Sequence, residues 1–212
     1  MTPAALLLDL DGTLVDSEPV HRAAYRAFFE ARGWDPPDLT LFTGRRAEDV
    51  FAAEPGPWTG HDFDALAAEV TALVDGSPEP VPGATALIGA AHRLGVPVAV
   101  VTSAGPAWTQ QAIDGPLDSR ERIDLIVTAD DVVDGKPDPT GYRLACERLC
   151  VDPATALAVE DSPAGVQAAV AAGVGEVVGI STTHDASELT DAGADRVVPD
   201  LVSLASRLAA GR

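Results

Sequence analysis

Four apolar segments of this chain are each followed by polar side chains that could act together on a phosphate group. In chain order these side chains are Asp9 and Asp11, Thr102 and Ser103, Lys136, and Glu160 and Asp161. Carboxylate oxygens are the hard ligands that Mg²⁺ prefers, while hydroxyl groups and an ammonium group can bind and neutralise phosphoryl oxygens. The set is therefore suited to phosphoryl transfer assisted by a divalent cation.

The two acids at the start of the chain are separated by a single leucine, so in an extended chain both carboxylates point the same way. Two carboxylates beside an apolar strand are costly unless a cation or a proton accompanies them. With Mg²⁺ present, Asp9 and Asp161 could bind the ion directly. Lys136 is the only lysine in the chain and stands between a glycine and a proline. A lone loop lysine is often a solvent-facing charge, but its place after a predicted strand favours a phosphate-binding role.

The elements that must position these side chains alternate between strands and helices. Predicted strands are Leu6–Leu10, Val96–Val101, Leu125–Thr128, Ala156–Val159, Val177–Ile180 and Arg196–Val198. Predicted helices between and after them are Gly83–Leu94, Pro106–Asp114, Pro139–Leu149, Pro163–Ala172 and Leu201–Ala209. Nearly continuous apolar strands are typical of sheets buried on both faces. The pattern predicts an α/β fold with a doubly wound parallel sheet, whose ligands bind beyond the carboxyl ends of the strands.

Residues 16–81 interrupt this alternation, because the segment contains no convincing strand. Three helical stretches are predicted within it, at Pro19–Ala31, Arg45–Ala53 and Asp62–Asp75. We expect a small all-helical cap over the carboxyl edge of the sheet, with residues 1–15 and 82–212 forming the catalytic core. An extra helical layer packed on the sheet is the alternative interpretation.

Four segments carry a resemblance to a known family. They are Asp9–Ser17, Val100–Ser103, Gly135–Pro139 and Val159–Gly165. In this order, at predicted strand ends, they resemble the haloacid dehalogenase superfamily, in the branch of β-phosphoglucomutases and sugar phosphatases with a small helical cap. The resemblance covers essentially the whole chain and implies a Rossmann-like core with an inserted cap. It also implies that Asp9 attacks phosphorus as a nucleophile and that Asp11 acts as the general acid and base, its backbone carbonyl binding the metal.

The resemblance assigns roles to the remaining polar residues as well. Thr102 and the main-chain N–H of Ser103 would bind phosphoryl oxygens, and Lys136 would neutralise charge during transfer. Asp161 would complete a Mg²⁺ site, and Glu160 would bind the ion either directly or through water.

The cap is expected to contact the leaving group. His21, at the start of the first cap helix, is a candidate substrate-binding residue, with a helix-surface or half-buried histidine as the alternative. Within the segment from Phe42 to Asp49, Gly44 would form a turn, and Arg45 or Arg46 could reach a hydroxyl-rich or anionic substrate. The sequence does not decide which arginine points inward.

Composition narrows the range of partners. The 212 residues carry a net charge of −19, which disfavours nucleic acid and anionic membranes as partners. No stretch approaches the roughly 18 apolar residues of a membrane helix. The two cysteines are poorly placed for a disulfide, which favours a cytoplasmic protein. The expected partner is a small phosphate ester; the oligomeric state stays open, with a monomer slightly favoured, and the positions of the three tryptophans are not predicted.

These observations predict a Mg²⁺-dependent phosphatase that hydrolyses a small sugar or polyol phosphate through an aspartyl-phosphate on Asp9. A β-phosphoglucomutase-type mutase is the first alternative, although such mutases hold their second phosphate with a cap lysine and an arginine, and this cap contains no lysine. An inactive metal-binding interaction protein on the same fold is the alternative from another class.

Overall fold

The computed structural model describes residues 2–211, and a six-stranded sheet lies at its centre. Its strands are β1 (Leu6–Leu8), β4 (Val98–Val101), β5 (Leu125–Val127), β6 (Leu157–Glu160), β7 (Glu176–Ile180) and β8 (Arg196–Val198). A separate pair consists of β2 (Val15–Asp16) and β3 (Glu79–Pro80). The strands of the central sheet follow the order β5-β4-β1-β6-β7-β8, and every neighbouring pair is parallel. All six predicted strands are present, and the predicted α/β class is confirmed.

Helices cover both faces of the sheet. The core helices are α4 (Ala84–Leu94), α5 (Pro106–Asp114), α6 (Thr140–Leu149), α7 (Pro163–Ala172), α8 (Ala186–Asp191) and α9 (Val202–Ala209). Successive side chains of β1 point to opposite faces, so Leu6 and Leu8 pack against α4, α5 and α9, whereas Leu7 packs against α6, α7 and α8. The sheet is therefore doubly wound, as the apolar runs predicted.

Helix α8 was not predicted from the sequence. It has only six residues and is polar, so it lacks an apolar stripe of helical period. Its signal is a capping box, in which Asp185 and Glu188 exchange hydrogen bonds between side chain and backbone at the helix start.

Three helices form the segment between β1 and α4: α1 (Glu18–Arg32), α2 (Ala47–Ala53) and α3 (Phe63–Ala72). They enclose an aromatic core of their own, distinct from the two layers around the sheet. Its largest fully buried side chains are Phe28, Phe29, Phe51, Trp58 and Leu66. A separate apolar core explains why this helical insert holds its shape beside the sheet, and we propose that residues 16–81 form one cap unit.

The pair β2–β3 corrects the expectation that residues 16–81 contain no strand. Val15 pairs with Pro80 and Asp16 with Glu79, in antiparallel register. Two-residue strands are too short to show alternation, so the sequence pattern gave no sign of them. The chain thus enters and leaves the cap through two adjacent strands.

Both cysteines are free thiols, with Cys146 buried in α6 and Cys150 exposed at its end. Within residues 2–211, no helix combines the length and the apolar character needed to cross a membrane.

Candidate active site

The candidate site lies where the strand order changes direction. From β1 at the centre, the chain first builds β4 and β5 on one side and later β6, β7 and β8 on the other. Asp9 follows β1, Thr102 follows β4 and Glu160 is the last residue of β6. Crevices at such switch points, beyond the carboxyl ends of parallel strands, are the usual ligand sites of open α/β sheets.

Lys136 sits in the middle of a buried cluster of acids. Its Nζ lies 2.6 Å from Oδ1 of Asp9 and 2.5 Å from Oε1 of Glu160, and it donates to the Val101 carbonyl at 3.0 Å. Asp9, Lys136, Glu160 and Asp161 are all at most 8% exposed. One ammonium group therefore faces three buried carboxyl groups, and the cluster lacks positive charge.

The pKa values of these groups reflect the excess of carboxyl groups over positive charge. Burial raises the pKa of Asp9 to about 7, although Lys136 opposes the rise. Burial, together with the charges of Asp9 and Glu160, also raises the pKa of Asp161 well above its ordinary value. Burial alone would lower the pKa of Lys136, but the two neighbouring carboxylates raise it above its usual range. A bound cation would replace the protons that this cluster otherwise retains.

The residues present fit a hard divalent cation. Asp9, Glu160 and Asp161 each offer one carboxylate oxygen, and these oxygens lie within 4.8 Å of one another. Oδ1 of Asp161 is buried and finds no hydrogen-bond partner among residues 2–211. Gly12 adopts φ +80°, and a Cβ there would collide with the Asp161 carboxylate. An all-oxygen donor set with an unpartnered carboxylate oxygen is typical of a Mg²⁺ site.

Several supporting residues were missed by the sequence reasoning. The buried Tyr142 hydroxyl donates to Oε1 of Glu160 at 2.5 Å, and the same burial and carboxylate raise the pKa of Tyr142 well above its usual range. The Thr183 hydroxyl donates to Oδ2 of Asp161. The Ser162 hydroxyl donates to Oε2 of Glu160 at 3.4 Å, and its oxygen accepts from the Gly165 N–H at the start of α7. These contacts fix the carboxylates of the cluster.

Asp11 lies at the mouth of the site, between core and cap. The indole Nε1–H of Trp108, in α5, donates to Oδ1 of Asp11 at 2.8 Å. Nε2 of His21, in cap helix α1, lies 4.0 Å from the same oxygen. The His21 and Trp108 rings are in contact, with centroids 4.8 Å apart. Trp108 is therefore a cap-contact residue beside the predicted general acid, a position that its sequence context did not reveal.

The two hydroxyl residues after β4 differ in their surroundings. Thr102 is buried, and its Oγ1 accepts from the Ala104 N–H at 3.0 Å. The Ser103 hydroxyl donates to the carbonyl of Gly44, in the cap, at 3.3 Å. Gly44 has φ +73°, and a Cβ there would collide with Ser162 of the core. Glycine thus allows the cap loop to touch the core, as well as forming the predicted turn.

Both cap-loop arginines border the space above Asp9. Arg46 forms a two-point contact with Asp49, at 2.7 and 3.0 Å, and donates to the core carbonyl of Val133 at 2.8 Å. Arg45 makes a longer contact of 3.5 Å with Glu54. Arg46 therefore ties the cap to the core, and Arg45 is the less constrained of the two.

A cavity of about 470 Å³ lies between core and cap. Of the residues predicted to bind substrate or to act in catalysis, those on its wall are Asp9, Asp11, His21, Gly44, Arg45, Arg46, Thr102 and Ser103. Lys136, Glu160 and Asp161 lie behind Asp9, inside the core. The predicted residues thus form two groups: a buried charged cluster, and side chains that line the cavity. Their individual roles remain predictions.

A strand-end aspartate, a buried lysine and a cluster of carboxylates that fits a divalent cation, all at the switch point, are typical of a phosphoryl-transfer site. A family model for haloacid dehalogenase-like hydrolases matches residues 3–173. The chain therefore belongs to the haloacid dehalogenase-like hydrolases, which confirms the resemblance carried by the four sequence segments.

Two relatives and one solved structure are similar to this protein over most of its length. Validoxylamine A 7'-phosphate phosphatase of Streptomyces hygroscopicus subsp. limoneus is 40% identical, over 93% of this chain and 94% of its own. Hexitol phosphatase A of Escherichia coli K12 is 32% identical, over 87% of this chain and 86% of its own. The structure of CbbY from Rhodobacter sphaeroides with xylulose-(1,5)bisphosphate has a TM-score of 0.83 and 29% identity, covering 96% of both chains.

Proposed function

We propose that this protein is a Mg²⁺-dependent phosphatase that hydrolyses the monophosphate of a small sugar or polyol. One observation carries the proposal: Asp9 stands at the floor of the cap-covered cavity, in contact with Lys136 and within the buried acidic cradle. An aspartate in this position can attack phosphorus, while a cation and the lysine neutralise the charge that gathers around it.

The metal would be held by Asp9, Glu160 and Asp161, together with the backbone carbonyl of Asp11. When bound, Mg²⁺ neutralises negative charge on the phosphoryl group and keeps Asp9 ionised. Lys136 acts alongside as a fixed cation, because burial and two ion pairs leave its ammonium group little freedom.

The first half of the reaction transfers the phosphoryl group to the protein. A carboxylate oxygen of Asp9 forms a bond to phosphorus as the bond from phosphorus to the substrate oxygen breaks. The electron pair of that bond stays on the leaving oxygen, and Asp11 supplies the proton that makes it an alcohol. Thr102 and the N–H of Ser103, after the neighbouring strand β4, would orient the phosphoryl oxygens.

The second half releases phosphate. Asp11, now a carboxylate, removes a proton from water, whose oxygen attacks phosphorus as the bond to Asp9 breaks. Inorganic phosphate leaves and Asp11 is again protonated. The cap contacts made by Gly44 and Arg46 would keep the cavity closed to bulk water during both steps.

The cap favours a single phosphate on the substrate. Every arginine on the cavity wall is already paired with a carboxylate, which offsets part of its charge and makes the wall less favourable for a second phosphate. These pairs are Arg22 with Glu18, Arg45 with Glu54, and Arg46 with Asp49. The paired side chains and the Thr43 hydroxyl can instead exchange hydrogen bonds with sugar or polyol hydroxyls. The phosphatase names of two relatives support this substrate class.

The mutase alternative needs a cap that retains a bisphosphate. The absence of a cap lysine and the pairing of the cap arginines both weigh against it. Conversion of β-glucose 1-phosphate to glucose 6-phosphate without free phosphate would establish the mutase instead.

The test is release of inorganic phosphate from a panel of hexose and hexitol monophosphates, with and without Mg²⁺. We expect Mg²⁺-dependent turnover of several alkyl esters and its loss in Asp9→Asn, which removes the nucleophile and a metal ligand. If no ester is hydrolysed although calorimetry shows bound Mg²⁺, the phosphatase proposal is wrong and the interaction-protein alternative gains.

A further inference from the structure

The indole of Trp108 contacts the predicted general acid directly. Trp108 lies in α5 on the core side of the cavity, and its Nε1–H donates to Oδ1 of Asp11 at 2.8 Å. We propose that Trp108 is a positioning residue, which holds the Asp11 carboxyl group in the orientation needed to protonate the leaving oxygen. This inference rests on the proposed phosphatase function.

The contact distinguishes the two oxygens of Asp11. An indole N–H can only donate, so the oxygen that it contacts must present a lone pair. When Asp11 carries a proton, the contact therefore favours the proton on Oδ2. His21 approaches from the cap on the Oδ1 side as well, at 4.0 Å. The indole hydrogen bond thus secures Oδ1, with His21 nearby, and Oδ2 is left for the substrate.

Protonation of the leaving oxygen requires the proton to be on the Asp11 oxygen that faces the substrate. As the bond from phosphorus to the leaving oxygen breaks and the bond from phosphorus to Asp9 forms, the proton moves from Oδ2 of Asp11 to the leaving oxygen. A general acid must lie within hydrogen-bond reach of that oxygen, at about 2.6–3.2 Å. Within residues 2–211, the carboxylate of Asp11 accepts no hydrogen bond other than the one from Trp108. The indole supplies the missing restraint.

The cap supports the indole in turn. The His21 ring packs against Trp108 with an interplanar angle of 52°, so helix α1 covers one side of the tryptophan. A rigid ring held between cap and core is a firmer donor than a glutamine amide would be, because it has two side-chain torsions instead of three. Trp108 therefore links the position of the cap to the orientation of Asp11.

The chain offers a matched control in Trp58. Its Nε1–H also makes one hydrogen bond, to the Glu54 carbonyl at 2.9 Å, but it lies in the cap core and is 1% exposed. Replacing either tryptophan by phenylalanine removes an indole donor and retains an aromatic ring. Only Trp108→Phe affects Asp11.

The experiment compares kcat/KM for two esters at saturating Mg²⁺. One is the alkyl phosphate hydrolysed fastest in the panel, whose leaving group needs a proton; the other is p-nitrophenyl phosphate, whose leaving group departs without one. Trp108→Phe should lower kcat/KM for the alkyl ester about tenfold and for the aryl ester by no more than about twofold. The tenfold loss is a part of the roughly 10²–10⁴-fold acceleration that a general acid supplies. Trp58→Phe should leave the ratio of the two unchanged.

A double-mutant cycle with Asp11→Asn completes the test. If Trp108 acts through Asp11, Trp108→Phe should cause no further loss on the alkyl ester once Asp11 is replaced. Equal losses on the two esters, or an additive loss in the cycle, would overturn the inference and assign Trp108 a structural role. If the unaltered protein hydrolyses neither ester, the proposed function itself has failed, which is a separate outcome.

Discussion

Replacing Lys136 by methionine should destabilise the protein more at high pH than at low pH. The substitution keeps the length of the side chain but removes the ammonium group that contacts Asp9 at 2.6 Å and Glu160 at 2.5 Å, in a site at most 8% exposed. Breaking a buried ion pair by removing one partner costs about 3–5 kcal/mol, because the remaining charge is left uncompensated. For a chain of this size that is a fall in Tm of roughly 10 °C.

The pH dependence follows from the raised pKa of Asp9. Its unfolded value is near 3.8, whereas its folded value is about 7 even with Lys136 present, and the loss of the ammonium group raises the folded pKa further. A carboxyl whose pKa is higher in the folded state is neutral in both states at low pH. As the pH rises, the unfolded state loses its proton first, so the folded state becomes relatively less stable. The destabilisation should therefore be smaller near pH 5 than at pH 8, because the added penalty develops as the pH rises past the folded-state pKa of about 7.

Thermal unfolding of the metal-free protein at both pH values measures the effect. Arg148→Met is a suitable control, because Arg148 pairs with Asp131 at 3.0 Å on the surface, where such pairs contribute at most about 1 kcal/mol. Saturating Mg²⁺ should restore part of the lost stability to Lys136→Met. Equal losses of Tm at pH 5 and pH 8, or a loss no larger than that of the control, would refute the charge-balance argument.

Three further outcomes are expected. Protons compete with the metal for Asp9, so the rise in Tm caused by Mg²⁺ should be larger at pH 8 than at pH 6; an equal rise would contradict the raised pKa. Gly12→Ala should weaken Mg²⁺ binding at least about tenfold by calorimetry, because its Cβ would enter the space of Asp161 at a φ that favours glycine; unchanged affinity would argue against the cradle. Arg45→Ala should alter the order of preferred esters. Arg46→Ala removes a hydrogen bond between cap and core and should raise KM for all esters several-fold. Identical substrate profiles for the two variants would contradict the different roles of the two arginines.

The strands and the buried charged cluster were predictable because their signals are local. Five nearly continuous apolar runs and the segment Arg196–Val198 predicted the six strands. The carboxyl ends of parallel strands necessarily meet at one edge, which brings Asp9, Thr102 and Glu160 together. The pair β2–β3 and helix α8 escaped prediction because two-residue strands and a polar six-residue helix carry no periodic signal.

The supporting contacts could not be predicted, because they join residues far apart in the chain. Trp108 and Asp11 are 97 positions apart, Thr183 and Asp161 are 22 apart, and neither pair forms a motif. The orientation of the cap arginines likewise depends on which carboxylates the folded cap brings near them. Such pairings depend on packing, which one sequence does not display.

The strand pair β2–β3 has a consequence for how this protein can change over evolutionary time. Because Val15 lies opposite Pro80 in the antiparallel pair of β2 and β3, the two ends of the intervening segment are neighbours. The entropy cost of closing such a segment grows only slowly with its length, so another insert, shorter or longer, could replace this one with little cost to the sheet. Substrate preference could then change through replacement of this one segment, while the catalytic residues of the core stay the same.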